Sequence, residues 1–270
     1  MAEIVLSSAE RADLIVTGRA LADVARQATL DHFRGRHLAH ETKSDAQFDP
    51  VTAADRASEV AMRAVLAERR PNDGIFGEEF GAVEGTTGIT WVLDPIDGTR
   101  GFLAGTPTWG VLIAACNDHS TLYGIVDQPF IGERFEGGQG TAIYSGPHGS
   151  MPLAVRTGVS LNDAILLSTF PEIGTSEERA AFHRVAPQTK LVRYGTDCYA
   201  YALLALGQID LVIEAGLQRY DIAGPIGVIE AAGGIVTNWQ GGSAQNGGQV
   251  IAAATAELHQ AALDILNEAP

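Results

Sequence analysis

Two carboxylates stand at the end of an apolar run, in the segment Asp94-Pro95-Ile96-Asp97-Gly98-Thr99. Because Asp is disfavoured in strands and Pro95 lacks an amide donor, we expect the chain to leave a buried strand here, with both acids on a tight turn. Gly98 lets the backbone approach a ligand closely, and the free amides of Gly98 and Thr99 would face an anion on this turn. Acids that bind a cation beside amides that bind an anion indicate phosphate chemistry, although the same residues also form ordinary turns.

Three further acidic clusters stand at the ends of expected elements: Asp49-Pro50-Val51-Thr52-Ala53-Ala54-Asp55, Gly77-Glu78-Glu79 and Tyr220-Asp221-Ile222. Each has a structural explanation when it is taken singly. Thr52 and Asp55 suit a capping pair, Glu78 and Glu79 suit a solvated surface, and Asp221 suits the N-cap of a helix. The clusters indicate a common binding site only if the fold brings them close together.

Composition indicates the general class of protein and its expected location. With 46% hydrophobic and 19% charged residues in a chain of 270, we expect a soluble globular protein of one large or two average domains. The chain has no apolar run of roughly 20 residues and no basic N-terminal start, which predicts no membrane segment and a cytoplasmic location. Cys116 and Cys198 are far apart and are expected to be reduced and buried.

The formal net charge of −15 argues against nucleic acid, which proteins bind through clusters of Lys and Arg. An acidic protein that acts on a phosphate ester needs local positive charge. With only 18 Lys and Arg residues in the chain, bound divalent cations are the expected source.

Hydrophobic periodicity predicts two halves. Helices are expected at 8–33 and 52–70, followed by an antiparallel meander between Trp109 and Tyr144. The loop Gly146–Ser150 is the expected boundary, which divides the chain into an α+β half, 1–147, and an α/β half, 148–270. In the second half, strands are expected at 165–168, 191–193, 211–214 and 250–253, and helices at 176–185, 198–206, 222–232 and 256–267.

Together, the four acidic clusters resemble the motifs of the inositol monophosphatase-like family of magnesium-dependent phosphatases. The D-P-x-T-x-x-D, G-E-E, W-x-x-D-P-[IL]-D-G-T and [WY]-D-x-A elements occur in family order, and the last is followed by Glu230-Ala231-Ala232-Gly233-Gly234. The resemblance covers nearly the whole chain. It implies a layered α-β-α-β-α sandwich of the inositol monophosphatase and fructose-bisphosphatase type, and a homodimer.

The resemblance also implies a ligand set for two or three Mg²⁺ ions per site: Glu78, Asp94, the backbone carbonyl of Ile96, Asp97 and Asp221. Oxygen ligands suit Mg²⁺, which shares its coordination with phosphate oxygens. By the same resemblance, Glu78 and Thr99 help to activate a water for direct attack on phosphorus, Asp55 supports Thr99 and the outer part of the site, and the amides of Gly98 and Thr99 hold the phosphate. A cation that lowers the pKa of the water and one that stabilises the leaving alkoxide would complete the mechanism without a phosphoenzyme.

Within the family, the chain is most similar to the histidinol-phosphate phosphatases. The central motif continues as Arg100-Gly101-Phe102, and the stretches 127–135 and 193–201 are also typical of that branch. Asp197 and Glu214 align with family positions that face the non-phosphate part of the substrate. Two acids there suit the ammonium and imidazole groups of histidinol phosphate, although Asp197 could instead cap the following helix.

The sequence leaves the roles of three basic residues open. Arg100 could contact the substrate or brace the turn. Arg219 and Lys43 lie near, but not at, positions where related chains carry a basic residue.

These observations predict an enzyme that hydrolyses a small phosphate ester. The leading hypothesis is an L-histidinol-phosphate phosphatase of histidine biosynthesis, and the alternative is an inositol-1-monophosphatase or a broader sugar-phosphate phosphatase. A non-catalytic sensor of phosphorylated metabolites is disfavoured because every matched metal acid is present.

Overall fold

The computed structural model describes residues 6–35, 40–44 and 47–268, with the backbone alone for 40–44 and 47–52. In these ranges the helices are α1 (Ser8–Leu30), α2 (Ala53–Arg69), α3 (Thr99–Ala104), α4 (Ser176–Val185), α5 (Tyr199–Ala205), α6 (Arg219–Ala231) and α7 (Ala256–Leu266). The strands are β1 (His40–Ser44), β2 (Gln47–Thr52), β3 (Gly74–Gly77), β4 (Gly81–Val83), β5 (Thr90–Asp97), β6 (Gly110–Cys116), β7 (Thr121–Gln128), β8 (Glu133–Gly138), β9 (Thr141–Gly146), β10 (Gly149–Pro152), β11 (Ile165–Ser168), β12 (Leu191–Tyr194), β13 (Leu211–Leu217), β14 (Ile235–Thr237) and β15 (Gly248–Ala253).

Two large sheets form the framework. The first has eight strands in the order β10-β9-β8-β7-β6-β5-β3-β4, and the second has five in the order β12-β11-β13-β15-β14. Each strand from β5 to β9 pairs antiparallel with the next one along the chain, which confirms the meander predicted between Trp109 and Tyr144, whereas β5 pairs in parallel with β3. In the second sheet β11 runs parallel to β12 and β13, whereas β15 is antiparallel to β13.

Alternation along the strands divides the core into layers. In β6, Val111 and Ile113 face α1 and α2, whereas Leu112 faces the interior between the two sheets. In β13, Val212 faces the same interior, whereas Leu211 packs with α4 and α7. Helices α5 and α6 fill the space between the sheets. The layer order is therefore α-β-α-β-α, as predicted.

Helix α6 lies unusually close to the first sheet. A Cβ atom on Gly227 would lie 2.8 Å from the amide nitrogen of Gly124, and a Cβ on Gly224 would lie 2.9 Å from the carbonyl oxygen of Ile125. A Cβ on Gly124 or Gly137 would likewise overlap the helix backbone. These glycines let backbone meet backbone, and this contact determines where the first turn of α6 stands relative to the sheet.

A buried ion network attaches α1 to the same sheet. The Asp127 carboxylate is fully buried and accepts hydrogen bonds from Arg26 Nε at 3.0 Å and Nη2 at 2.7 Å. Arg134 Nε donates to the same carboxylate at 2.6 Å, and Arg134 Nη2 also binds Asp23 at the surface. Asp127 is therefore the shared buried partner of two partly buried guanidinium groups.

Asp127→Ala is expected to lower the free energy of unfolding by about 3–5 kcal/mol, because it leaves both arginines without their shared buried partner. The matched control is Asp23→Ala, since Asp23 is 68% exposed and also binds Arg134. That variant should lose less than about 1 kcal/mol. Urea unfolding followed by circular dichroism measures both values, and equal losses in the two variants would contradict the network interpretation.

Several element boundaries differ from the sequence predictions. Helix α1 ends at Leu30 rather than at Phe33, and α2 begins at Ala53 rather than at Thr52. The expected division at 147/148 lies in the turn between β9 and β10, and β10 still pairs with β9 in the first sheet. That division stays a prediction. None of the helices in the described ranges is long and apolar enough to cross a membrane.

Candidate active site

Asp94 and Asp97 lie together at the end of β5. The prediction that the strand would end before these two acids is wrong. Strand β5 continues to Asp97, which pairs with Gly110 of β6, and the register shifts between Asp94 and Asp97. This irregularity removes Pro95 from the hydrogen-bond ladder, which explains why the strand can tolerate it. Asp94 Oδ1 accepts the amide of Ile96 at 3.0 Å and so stabilises the local turn.

Asp221 reaches the same place from the second half of the chain. Helix α6 begins at Arg219, so Asp221 is the third residue of the helix and not its N-cap. The N-cap is Gln218, whose amide donates to Asp221 Oδ2 at 2.6 Å in a reciprocal capping arrangement. Carboxylate oxygens of Asp94, Asp97 and Asp221 all lie within 4.8 Å of one another.

Glu78 and Asp55 complete the acidic cluster. Glu78 follows β3, and its amide donates to the carbonyl of Leu93 at 3.2 Å, which places Glu78 beside the end of β5. Asp55 is buried in the first turn of α2. Burial raises the pKa of Asp94 well above its ordinary value, and the charges of Glu78, Asp97, Asp221 and Asp55 raise it further. The fold therefore groups Asp94, Asp97 and Asp221, and it places Glu78 and Asp55 near enough for their charges to act on Asp94.

The pKa of Asp97 is also raised, first by burial and then by the charges of Asp197 and Asp221. The amide of Cys198 donates to Asp97 Oδ2 at 2.7 Å and opposes this rise. One buried and several half-buried carboxylates at this spacing repel one another, and a bound cation would let them be ionised together. A hard divalent cation such as Mg²⁺ fits this all-oxygen donor set.

The predicted phosphate cradle lies beside the cluster. Gly98 has a φ of +81° and is the N-cap of α3, so the amides of the first helical turn have no partner within the helix. Thr99 Oγ1 donates to the carbonyl of Ile96 at 3.1 Å, which joins the proposed cradle to a proposed metal ligand. The phosphate-binding role of Gly98 and Thr99 and the metal-binding role of the Ile96 carbonyl stay predictions.

Asp197 lies directly against this turn. A Cβ atom on Gly98 would lie 2.9 Å from the carboxyl carbon of Asp197, and one on Gly101 would lie 3.5 Å from its Oδ2. Burial raises the pKa of Asp197 to about 6, and the positive charge of Arg100 opposes the rise. The Arg100 guanidinium also lies 4.9 Å from the centre of the Phe170 ring.

The helix-cap alternative for Asp197 does not fit this geometry. Helix α5 begins at Tyr199, and its N-cap is Cys198. Asp197 stands one residue earlier with a φ of +45°, and among the described residues no helix amide donates to its carboxylate. The side chain instead points to the turn that carries Gly98.

Glu214 lies in β13 and is buried. Its Oε1 accepts the amide of Thr169 at 2.6 Å and the Thr169 hydroxyl at 2.9 Å. Burial raises the pKa of Glu214 to about 7, and the charge of Asp197 adds to this rise. Both predicted substrate-binding acids therefore belong to one electrostatically connected region next to the acidic cluster.

The other basic candidates have different positions. The Arg219 guanidinium lies 5.5 Å from the centre of the Phe76 ring, and Phe76 stacks with Tyr220 at a ring distance of 6.3 Å. The side chain of Lys43, like those of Asp49 and Thr52, lies outside the described residues.

Cys116 and Cys198 are free and buried, as predicted.

The chain matches the family model described as the inositol monophosphatase family from residue 10 to residue 270. The chain belongs to this family. It is 36% identical over 272 residues to the "Bifunctional phosphatase IMPL2, chloroplastic" of Arabidopsis thaliana, covering 97% of this chain and 77% of that protein. It is 34% identical over 261 residues to the "Histidinol-phosphatase" of Mycobacterium tuberculosis, covering 94% of this chain and 98% of that protein.

Solved structures give the same family assignment. An inositol monophosphatase from Zymomonas mobilis superposes with a TM-score of 0.84 at 38% identity, covering 97% of this chain and 100% of that chain. Inositol monophosphatase family enzymes are metal-dependent phosphatases, so membership identifies the chain as a phosphatase-type hydrolase and confirms the resemblance. The cluster of Asp94, Asp97 and Asp221 is where this family member could bind metal.

Mg²⁺ is expected to stabilise the protein, and more so at pH 8 than at pH 5.5. Asp94 and Asp97 have raised pKa values, so the folded metal-free chain binds more protons than the unfolded chain. Its stability therefore falls as pH rises above the unfolded value of about 3.9 towards the raised folded values, and Mg²⁺ relieves this loss.

Thermal unfolding with EDTA or with excess Mg²⁺ measures this effect. A metal concentration 100-fold above Kd adds about 2.7 kcal/mol. For a chain of this size that corresponds to a rise in Tm of roughly 5–10 °C. The same Mg²⁺-induced rise at both pH values would contradict the prediction.

Proposed function

We propose that this family member hydrolyses L-histidinol phosphate, using Mg²⁺ held by Glu78, Asp94, Asp97, Asp221 and the carbonyl of Ile96. The observation that carries the substrate assignment is the half-buried Asp197 carboxylate packed against Gly98 and electrostatically connected to the buried Glu214. Similarity to a relative named histidinol-phosphatase supports the same choice.

Each residue of the proposed site would have its own role in the hydrolysis. Mg²⁺, when bound, supplies positive charge that lowers the pKa of the attacking water and stabilises the leaving oxygen. Glu78 accepts the proton of the water, while the Thr99 hydroxyl, held near the Ile96 carbonyl, orients it. Asp55 supports this arrangement from the first turn of α2. The amides of Gly98 and Thr99 hold the phosphoryl oxygens for direct in-line attack.

Asp197 and Glu214 would recognise the other end of the substrate. Histidinol phosphate carries an ammonium group and an imidazole, and a cation beside either acid would favour its ionised form. Charge-assisted hydrogen bonds then give both affinity and orientation. Inositol phosphate offers only hydroxyl groups at this end, so it gains less from two carboxylates. Arg100, next to Asp197 and the phosphate turn, would balance the charge of the occupied site.

The alternative is an inositol-1-monophosphatase or a broader sugar-phosphate phosphatase, because the similar Zymomonas mobilis structure carries the name inositol monophosphatase. Initial rates on L-histidinol phosphate, inositol 1-phosphate and glucose 1-phosphate, each with Mg²⁺ and with EDTA, test the choice. We expect kcat/KM to favour L-histidinol phosphate by about 10²-fold, since charged hydrogen bonds contribute about 1.5–3 kcal/mol each. A preference for the inositol ester would reverse the assignment.

A role in histidine biosynthesis, a cytoplasmic location and a homodimeric assembly belong to the same proposal. The first follows if L-histidinol phosphate is the preferred substrate. Sedimentation of the purified protein would test the assembly.

A further inference from the structure

Glu59, a buried acid on α2, is not one of the proposed metal ligands. Its carboxylate nevertheless binds the turn that contains one of them, Glu78. Asp55, Glu59 and Arg63 follow one another at four-residue spacing, which places them on one face of α2. Glu59 is fully buried, and the Arg63 side chain is 18% exposed. A fully buried carboxylate is rare unless its oxygens have partners.

The Glu59 carboxylate is bonded to the turn that contains Glu78. Its Oε2 accepts the amide of Glu79 at 2.7 Å, and its Oε1 accepts the amide of Phe80 at 3.3 Å. A Cβ atom on Gly77 would overlap this carboxylate, lying 2.8 Å from Oε2, so the absence of a side chain there lets the turn approach. Glu78 therefore stands between residues that all contact Glu59.

Arg63 completes the attachment and neutralises the acid. Its Nε donates to Glu59 Oε1 at 2.7 Å, and its Nη2 donates to the carbonyl of Gly81 at 2.5 Å. The guanidinium also lies 5.9 Å from the centre of the Phe80 ring. The pair thus holds both the amides and the far end of the turn from 77 to 81, without adding net charge near the acidic cluster.

On the other side, the turn is attached to β5. The Glu78 amide donates to Leu93, the residue before Asp94. The Glu78 backbone is therefore fixed between α2, which carries Asp55, and the strand that carries Asp94 and Asp97. This geometry uses both oxygens of Glu59 internally, which suits a residue that positions a ligand rather than one that binds the ion.

We infer that Glu59, with Arg63 as its counterion, is a positioning residue that sets the place of Glu78 in the metal site. The inference rests on the proposed ligand role of Glu78. Loss of the carboxylate would let the turn from 77 to 81 move away from Asp94, and the site would bind its metal more weakly. Substitutions of groups that hold a metal ligand in place typically weaken metal affinity by about 10–100-fold.

Glu59→Gln is the direct test, because the amide keeps the size of the side chain but directs an NH₂ group at donors. Mn²⁺ serves as the probe, and the loss of its free electron paramagnetic resonance signal gives Kd without an activity measurement. We expect Kd to rise about 10-fold or more. In parallel, KM for L-histidinol phosphate at saturating Mg²⁺ should change by less than about 2-fold and kcat should recover as Mg²⁺ is raised. The matched control is Glu68→Gln, an exposed acid on the same helix, which should leave Kd unchanged.

Two further variants separate the possible failures. Arg63→Gln retains the Glu59 carboxylate and should raise Kd in the same direction, so it tests the inference if Glu59→Gln does not fold. Glu78→Gln tests the ligand role itself. If Glu78→Gln weakens Mn²⁺ binding but Glu59→Gln only lowers Tm, the positioning role is wrong. If Glu78→Gln leaves Kd unchanged, the proposed ligand set is wrong.

Discussion

Asp94→Asn is expected to lower kcat for phosphate ester hydrolysis by about 10³-fold or more while the fold is retained. Asp94 is almost fully buried at the centre of the acidic cluster, and its negative charge is the property that a divalent cation requires. A metal ion contributes several kcal/mol to stabilising charge in the transition state. Each 1.36 kcal/mol of that stabilisation corresponds to about a factor of ten in rate.

The fold should survive this substitution for a local reason. Asn keeps an oxygen that can accept the amide of Ile96, as Asp94 Oδ1 does, so the turn at the end of β5 keeps its hydrogen bond. The variant also removes one of several mutually repelling buried charges, so the metal-free protein should be at least as stable as the wild type. Steady-state kinetics at saturating Mg²⁺, together with thermal unfolding in EDTA, measure both effects.

Asp118→Asn is the matched control, since it removes an exposed acid outside the cluster and should leave kcat unchanged. Near wild-type turnover in Asp94→Asn would remove the metal-site proposal. A loss of folded structure in EDTA would show instead that Asp94 is needed for the fold.

Asp197→Asn is expected to reduce kcat/KM for L-histidinol phosphate by about 10–100-fold, because a hydrogen bond to a charged group contributes about 1.5–3 kcal/mol. The rate on inositol 1-phosphate should change by less than about 3-fold, since a neutral polyol makes weaker use of the carboxylate. Asn has nearly the same shape as Asp, so the contact with Gly98 is preserved. The substitution therefore changes charge and leaves packing intact.

The ratio of the two kcat/KM values is the decisive measurement. A steric or structural effect on the phosphate turn would lower both rates together, whereas a loss of substrate recognition lowers one. Asp163→Asn, an exposed acid in the second half of the chain, provides the control for the loss of one negative charge. Equal reductions on both substrates would assign Asp197 to the turn and not to substrate choice.

Much of this arrangement could be predicted from the sequence because each acidic motif lies at the end of a regular element. The family resemblance of the four motifs predicted that Glu78, Asp94, Asp97 and Asp221 would meet and that the fold would be layered, whereas hydrophobic periodicity predicted helices and strands. Local propensity could not predict the irregularity of β5 between Asp94 and Asp97. Pairing with β6, a tertiary contact, extends the strand past Pro95.

Other features depend on contacts between residues far apart in sequence. The spacing of Asp55, Glu59 and Arg63 was visible in the chain, and it could have indicated a shared helix face. Its partner, the turn from 77 to 81, becomes apparent only when α2 lies beside β3 and β4. Likewise, helix propensity places Asp221 at an N-cap, whereas the observed helix starts at Arg219 and turns the same carboxylate towards the cluster.

The glycine-lined contact of α6 with the first sheet has a consequence for how this protein can vary. Main-chain atoms fix the distance of α6, and so of Asp221, from the first sheet. No substitution removes main-chain atoms, so shorter side chains along this contact cannot bring the helix closer to the sheet or tilt it. Only added atoms can move it, and a single methyl group at Gly124, Gly137, Gly224 or Gly227 already meets backbone. Substitutions in the segments that carry Asp197 and Glu214, which we propose to face the substrate, can therefore occur without moving α6, so the position of Asp221 relative to the first sheet stays the same.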